Sequence, residues 1–130
     1  MVGIVVVSHS AELAAGLSAL AGQMAGPDVT IAASGGTPDG SLGTDAEGVR
    51  AAIDRAGRDG DGVVVLGDLG SSILTVRSLL DDYADDGVLV KLADAPIVEG
   101  AVTAAVTASA GADLATVLKS AEEARDARKL

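Results

Sequence analysis

The sequence predicts an α/β domain in which a parallel sheet is covered by helices on both faces. Three observations predict it. Four aliphatic runs rich in β-branched residues recur along the chain, and apolar runs of that length fit strands buried on both sides. Segments with apolar residues at helical spacing lie between the runs. The two patterns alternate, as parallel strands joined by crossover helices require. The 130 residues are read as a single domain, 1–130, long enough to bury a core and too short for two.

The first strand is expected at Val2–Val7, a continuous Val/Ile run. Leu13, Leu17, Leu20 and Met24 then recur at helical spacing and are the expected buried stripe of the first helix. A weaker strand follows at Val29–Ala33. Thr44-Asp45-Ala46-Glu47 reads as a capping box, with the Thr44 hydroxyl as cap and Glu47 reaching back. It opens a helix whose buried positions are Val49, Ile53 and Ala56. A third strand is expected at Val63–Leu66, bounded by Gly60-Asp61-Gly62 and Gly67. A third helix carries Ile73, Val76, Leu80 and Tyr83. A fourth strand is expected at Val88–Leu92, after Asp85-Asp86-Gly87. The run from Ala95 to Ala112 carries one charge, Glu99; its Ala, Thr and Gly content suits a buried helix better than a membrane span. Asp113 is expected to cap a last helix to about Arg128, burying Leu114, Val117, Leu118 and Ala121.

Composition excludes several functions. Apolar residues make up 48% and charged residues 22%, which is globular rather than disordered. There is no Phe, no Trp and one Tyr, so base-stacking nucleic-acid modules are disfavoured. A net charge of −10 leaves no surplus of Lys and Arg to displace counterions from a polyanion, and suits a basic partner instead. With no Cys and one His, thiol catalysis and disulfides are ruled out and a metal site is disfavoured. The N-terminal apolar run has no basic leader and does not read as a secretory signal. Phosphate-loop, dinucleotide-fold and nucleophile-elbow motifs are absent.

Ligands of open α/β sheets bind outside the carboxyl ends of the strands. Three segments converge there: Ser8-His9-Ser10, the long Gly-rich stretch Ser34–Thr44, and Gly67-Asp68-Leu69-Gly70-Ser71-Ser72. His9 sits just past the first strand at the start of a helix. A lone histidine is often a surface imidazole, but neutral imidazole is also a nucleophile that can attack phosphorus. A helix N-terminus beside it would stabilise the resulting anion. Asp68 is its natural partner if the first and third strands are adjacent, because a carboxylate on one ring N–H leaves the other nitrogen free. A helix cap or turn is the competing role for Asp68. Gly35, Gly36, Thr37, Thr44, Gly70, Ser71 and Ser72 complete the neighbourhood. They are small enough to let backbone N–H groups approach an anion, and equally suited to turns and helix starts.

Gly3-Ile4-Val5-Val6-Val7-Ser8-His9-Ser10, Gly35-Gly36-Thr37, Asp39-Gly40, Gly43-Thr44-Asp45, Gly67-Asp68-Leu69-Gly70-Ser71 and Ala95-Pro96-Ile97-Val98-Glu99-Gly100 occur in this order. Together they resemble the phosphotransferase subunits of bacterial dihydroxyacetone kinase, the DhaM family, which is similar to the mannose-type enzyme IIA of the sugar phosphotransferase system. The resemblance covers residues 1–125. It implies a three-layer flavodoxin-like fold with strand order 2-1-3-4. It implies that His9 accepts a phosphoryl group from HPr, which enzyme I charges from phosphoenolpyruvate, and that Asp68 orients His9. Ser8 matches the small hydroxyl residue that precedes the histidine in mannose-type relatives. The group would pass to ADP held on the nucleotide-binding kinase subunit, which works with a dihydroxyacetone-binding subunit. No cofactor or metal would be bound directly. The resemblance also implies a cytoplasmic, standalone homodimer, with the Ala/Val-rich stretch 97–109 as its apolar surface. The alternatives are an enzyme IIA of a mannose-family sugar transporter, and a dimeric module that binds a small anion without catalysis.

Overall fold

A computed structural model describes residues 1–130. Four strands, β1 (Gly3–Ser8), β2 (Ile31–Gly35), β3 (Val63–Gly67) and β4 (Val90–Leu92), form one sheet. Every pairing is parallel and the order is β2-β1-β3-β4, the order expected. Five helices connect and follow the strands: α1 (Ala11–Ala25), α2 (Ala46–Ala56), α3 (Gly70–Asp85), α4 (Ile97–Ser109) and α5 (Leu114–Glu123).

Alternation along the strands feeds two cores. Ile4, Val6, Val64 and Leu66 face one layer, where they meet Ala14, Leu17 and Ala21 of α1, the alanines of α4, and Val117 and Ala121 of α5. Val5, Val7, Val63 and Val65 face the other, against Val49, Ala52 and Ile53 of α2 and Val76, Leu79 and Tyr83 of α3. The absence of Phe and Trp is met by close approach. Gly100, Ala101, Ala104, Ala105 and Ala108 of α4 are all buried, so backbones come near where large side chains would hold them apart. No helix is long and apolar enough to cross a membrane.

Four expectations are corrected. The strands after the first turn start later than the apolar runs, at Ile31 and at Val90, because Val29 packs in the core from the preceding loop and Val88 and Leu89 lie exposed. In α1 only Leu17 of the expected stripe is buried; Leu13, Leu20 and Met24 are exposed at 43%, 45% and 57%. The buried face is Ala14, Leu17 and Ala21, because the alanine face lets the helix lie close to the sheet. The last helix ends at Glu123 and continues as a 3-10 turn over Ala124–Asp126, short of Arg128. Its cap is Asp113 as expected, accepting from the Thr116 N–H at 2.9 Å. Of its expected stripe, Val117 and Ala121 are buried, while Leu114 and Leu118 are partly so.

The fourth correction concerns the α2 cap. Asp45, not Thr44, caps the helix, its carboxylate accepting from the Gly48 N–H at 3.1 Å. Thr44 is drawn into a parallel β-bridge with Gly36 instead, which takes its backbone out of the cap position. Its hydroxyl is left buried without a partner.

Gly35 ends β2 directly against the start of α1. A Cβ placed there would lie 2.4 Å from the Ser10 carbonyl oxygen, and that oxygen belongs to backbone that cannot rotate away. Gly35→Ala is therefore expected to lower unfolding stability by about 1–3 kcal/mol, the usual cost of overpacking. Denaturant titration of the two proteins checks this.

Candidate functional site

The sheet order places β1 and β3 side by side, with Val7 opposite Gly67 in the register. The residues that follow, Ser8-His9 and Asp68, therefore emerge together at the carboxyl edge. His9 Nδ1 lies 2.9 Å from Asp68 Oδ1. The backbone N–H of His9 also donates to Asp68 Oδ2, at 3.0 Å. Two contacts from one residue to one carboxylate fix both the chain and the ring.

Asp68 is held in turn by three further donors. The Ser8 hydroxyl donates to Oδ2 at 2.7 Å, the Ser72 hydroxyl to Oδ1 at 2.9 Å and the Leu69 N–H to Oδ1 at 2.7 Å. Ser8 and Ser72 are fully buried, and both hydroxyls reach the Asp68 carboxylate. Burial by itself would push the Asp68 carboxyl up, but hydrogen bonds from Ser8, His9 and Leu69 outweigh it and hold the group well below the ordinary carboxylate range.

An ionised Asp68 accepts from Nδ1, so that nitrogen carries the proton and Nε2 keeps its lone pair. Nε2 is hydrogen-bonded to the Ser71 hydroxyl, which donates to it in the Nδ1–H tautomer. The histidine side chain keeps 24% of its surface exposed, against 12% for Asp68. Ser71 sits in the first turn of α3, where backbone N–H groups lack intrahelical partners and favour an anion.

The remaining predicted residues support this centre rather than join it. Ser10 caps α1, accepting from the Leu13 N–H at 3.2 Å, and donates its own N–H to Ser8 Oγ at 3.0 Å. Gly36 takes a positive φ of 72° and donates to the Ser8 carbonyl at 3.3 Å. Thr37 closes a turn with Asp39 and Ser41. Hydrogen bonds from the Thr37 hydroxyl and the Ser41 N–H lower the Asp39 carboxyl to about 2, so Asp39 locks the loop as an anion. Thr44 lies in the bridge described above, and Gly70 opens α3. None of Gly35, Thr37, Thr44 and Gly70 forms a hydrogen bond to the His9 ring.

Two participants were not foreseen. The Gly43 N–H donates to the His9 carbonyl at 3.0 Å, which ties the Gly-rich loop to the site; Gly43 has a φ of 146° that favours glycine. Arg77 lines a crevice of about 400 Å³ beside Asp68, with Gly67, Ile73 and Leu92–Ala95. Scanning for basic residues close in sequence misses it, although its spacing of four from Ile73 puts both on one face of α3.

A family model described as the PTS system fructose IIA component, EIIA-man, matches residues 3–118. An Escherichia coli protein named the phosphoryl donor subunit DhaM of PEP-dependent dihydroxyacetone kinase is 39% identical over 99% of this chain and 28% of its own length. The chain thus spans little more than a quarter of that relative. A Listeria innocua protein, named the phosphoryl donor subunit DhaM of PEP-dependent dihydroxyacetone kinase 2, is 41% identical over 82% of this chain and 85% of its own. Among solved structures, the protein EF1359, of unknown function, superposes with a TM-score of 0.81 at 35% identity, covering 95% of both chains. A phosphotransferase system component EIIA from Streptococcus agalactiae shares the fold, with a TM-score of 0.71 at 18% identity over 97% of this chain and 93% of that one.

The Asp68 hydrogen bonds set a pH dependence. Its folded-state pKa lies below the ordinary value of 3.8, so the unfolded chain binds the proton more readily. The stability it contributes is present above about pH 4 and is lost as pH falls further. Asp68→Asn, which leaves some of these donors unmatched, is expected to cost about 1–3 kcal/mol at pH 7. That deficit should shrink steadily below pH 4 in urea titrations repeated across pH.

Proposed function

The chain belongs to the EIIA-man family, and from that premise we propose that it is the phosphohistidine relay subunit of a phosphoenolpyruvate-dependent dihydroxyacetone kinase. His9 takes a phosphoryl group from phospho-HPr on Nε2. It then delivers the group to ADP held on the nucleotide-binding kinase subunit, and the ATP so formed phosphorylates dihydroxyacetone on the third subunit. One observation carries this reading: Asp68 occupies Nδ1 at 2.9 Å, which leaves Nε2 as the nucleophile of a partly exposed ring. The names of the relatives supply the substrate.

The chemistry follows from the site. The Nε2 lone pair attacks phosphorus in line as the donor's P–N bond breaks, its electron pair returning to the donor imidazole. Nδ1 keeps its proton, so the phosphorylated ring is cationic, and ionised Asp68 stabilises it. The transition state is loose, and positioning does most of the work. Ser71 gives up its hydrogen bond to Nε2 and turns its hydroxyl to a phosphoryl oxygen, beside the first-turn N–H groups of α3. No Lys or Arg clamps the ring, which keeps the group transferable.

Two exposed leucines suit a protein partner. Leu69 follows Asp68 and Leu42 precedes Gly43, and they are 65% and 78% exposed. Apolar side chains flanking a nucleophile fit docking by HPr and by the kinase subunits, with the acidic surface drawing a basic carrier. The homodimer is assigned to the outer face of α1 and α4. Leu13, Leu20 and Met24 share one side of α1, and Val98 and Val106 share one side of α4, all more than 40% exposed. Such a patch favours association. The protein would act in the cytoplasm, where these partners reside.

Incubation with phosphoenolpyruvate, enzyme I and HPr is expected to add one acid-labile phosphoryl group by intact mass, absent in His9→Ala. Unchanged mass while HPr is charged would instead indicate an anion-binding module. Transfer onward to the kinase subunits with dihydroxyacetone, but not to a mannose-type transporter, separates the two relay readings. Leu20→Glu with Val106→Glu is expected to give monomers in analytical ultracentrifugation where the unaltered chain sediments as a dimer.

A further inference from the structure

We propose that Ser72 is a positioning residue whose hydroxyl sets how tightly Asp68 holds the Nδ1 proton of His9, and thereby how long a phosphoryl group stays on Nε2; the second half rests on the relay reading above. The observation is a surplus of donors on one oxygen. Asp68 Oδ1 receives the His9 Nδ1–H at 2.9 Å, the Leu69 N–H at 2.7 Å and the Ser72 hydroxyl at 2.9 Å. Oδ2 receives two donors. A carboxylate oxygen offers about two lone-pair directions, so the three donors on Oδ1 compete.

Only Ser72 has somewhere else to go. Its Oγ also lies 2.8 Å from the Leu69 carbonyl oxygen, and a hydroxyl has a single proton to give. The other two donors are an amide fixed by the start of α3 and a ring fixed by its own backbone contact to Oδ2. Ser72 has no exposed surface, so water does not compete for the proton. The hydroxyl therefore has two settings. Turned to Asp68, it draws electron density from Oδ1 and weakens the bond to Nδ1–H. Turned to the Leu69 carbonyl, it leaves Oδ1 more basic and strengthens that bond.

The setting bears on the phosphohistidine. With phosphorus on Nε2 and a proton on Nδ1, the ring carries a positive charge that Asp68 neutralises. On hydrolysis, water oxygen bonds to phosphorus and the P–N electron pair returns to Nε2. The ring then becomes neutral with its Nδ1 proton retained, and the water protons go to phosphate and solvent. A stronger Asp68 bond favours the cationic, phosphorylated ring and slows this step. A weaker one hastens it. Ser72 thus holds the phosphoryl group at a transferable level.

Ser72→Ala removes the donor and leaves a smaller, helix-favouring residue. In unphosphorylated protein, the Nδ1–H proton resonance of His9 is expected to move downfield relative to the unaltered chain. After charging by HPr and removal of donor, the phosphohistidine lifetime at pH 7 is expected to lengthen roughly threefold, the share of one hydrogen bond that reaches the P–N bond. Ser78→Ala on the same helix, whose hydroxyl bonds only Thr75, should move neither. An unshifted Nδ1–H in Ser72→Ala, with or without loss of stability, would assign Ser72 to packing and overturn the proposal, as would an equal shift in Ser78→Ala. A shifted Nδ1–H in a protein that never takes up phosphate would leave Ser72 in its positioning role and remove the relay.

Discussion

The site depends on one carboxylate. Asp68 gathers five donors from two strand ends and the start of α3. It is the point at which β1, β3 and α3 are joined beyond their own hydrogen-bond ladders. The strand order makes this possible. With β1 central and β3 beside it, residues 59 positions apart in sequence meet at a 2.9 Å contact. The arrangement also orders the neutral ring, because an ionised acceptor on Nδ1 draws the proton there and leaves the lone pair on Nε2.

The surroundings suit a group that must arrive and leave. Strong cationic clamps would hold a phosphoryl group as a product, whereas dipoles and hydroxyls stabilise it moderately. The His9 ring is hydrogen-bonded to Asp68 and Ser71 and to no basic side chain, and Arg77 lines the crevice beside Asp68. The protein is acidic overall, at −10, and under the proposed relay that charge would draw a basic carrier to the surface.

Much of this was legible in the sequence, and what was not has physical causes. Buried parallel strands are aliphatic throughout, so their runs announce themselves; their ends blur because flanking valines also find apolar contacts, as Val29 does. The α1 stripe misled because leucine is the commoner core residue, while here close packing put Ala14 and Ala21 inside and left Leu20 and Met24 out. Thr44 and Asp45 are both good caps, and only the bridge to Gly36 decides between them. His9 and Asp68 could be paired from their positions at strand ends once β1 and β3 were taken as neighbours. The places of Gly43 and Arg77 rest on a backbone amide and on helix-face proximity, which residue type alone does not signal.

The most direct test of the central claim is the protonation of the His9 ring in the unphosphorylated protein, read from nitrogen-15 NMR of its two ring nitrogens at neutral pH. The account predicts a protonated Nδ1 and a lone-pair-bearing Nε2, with that pattern lost in Asp68→Ala. A ring protonated on Nε2, or one sampling both tautomers equally with Asp68 in place, would contradict it.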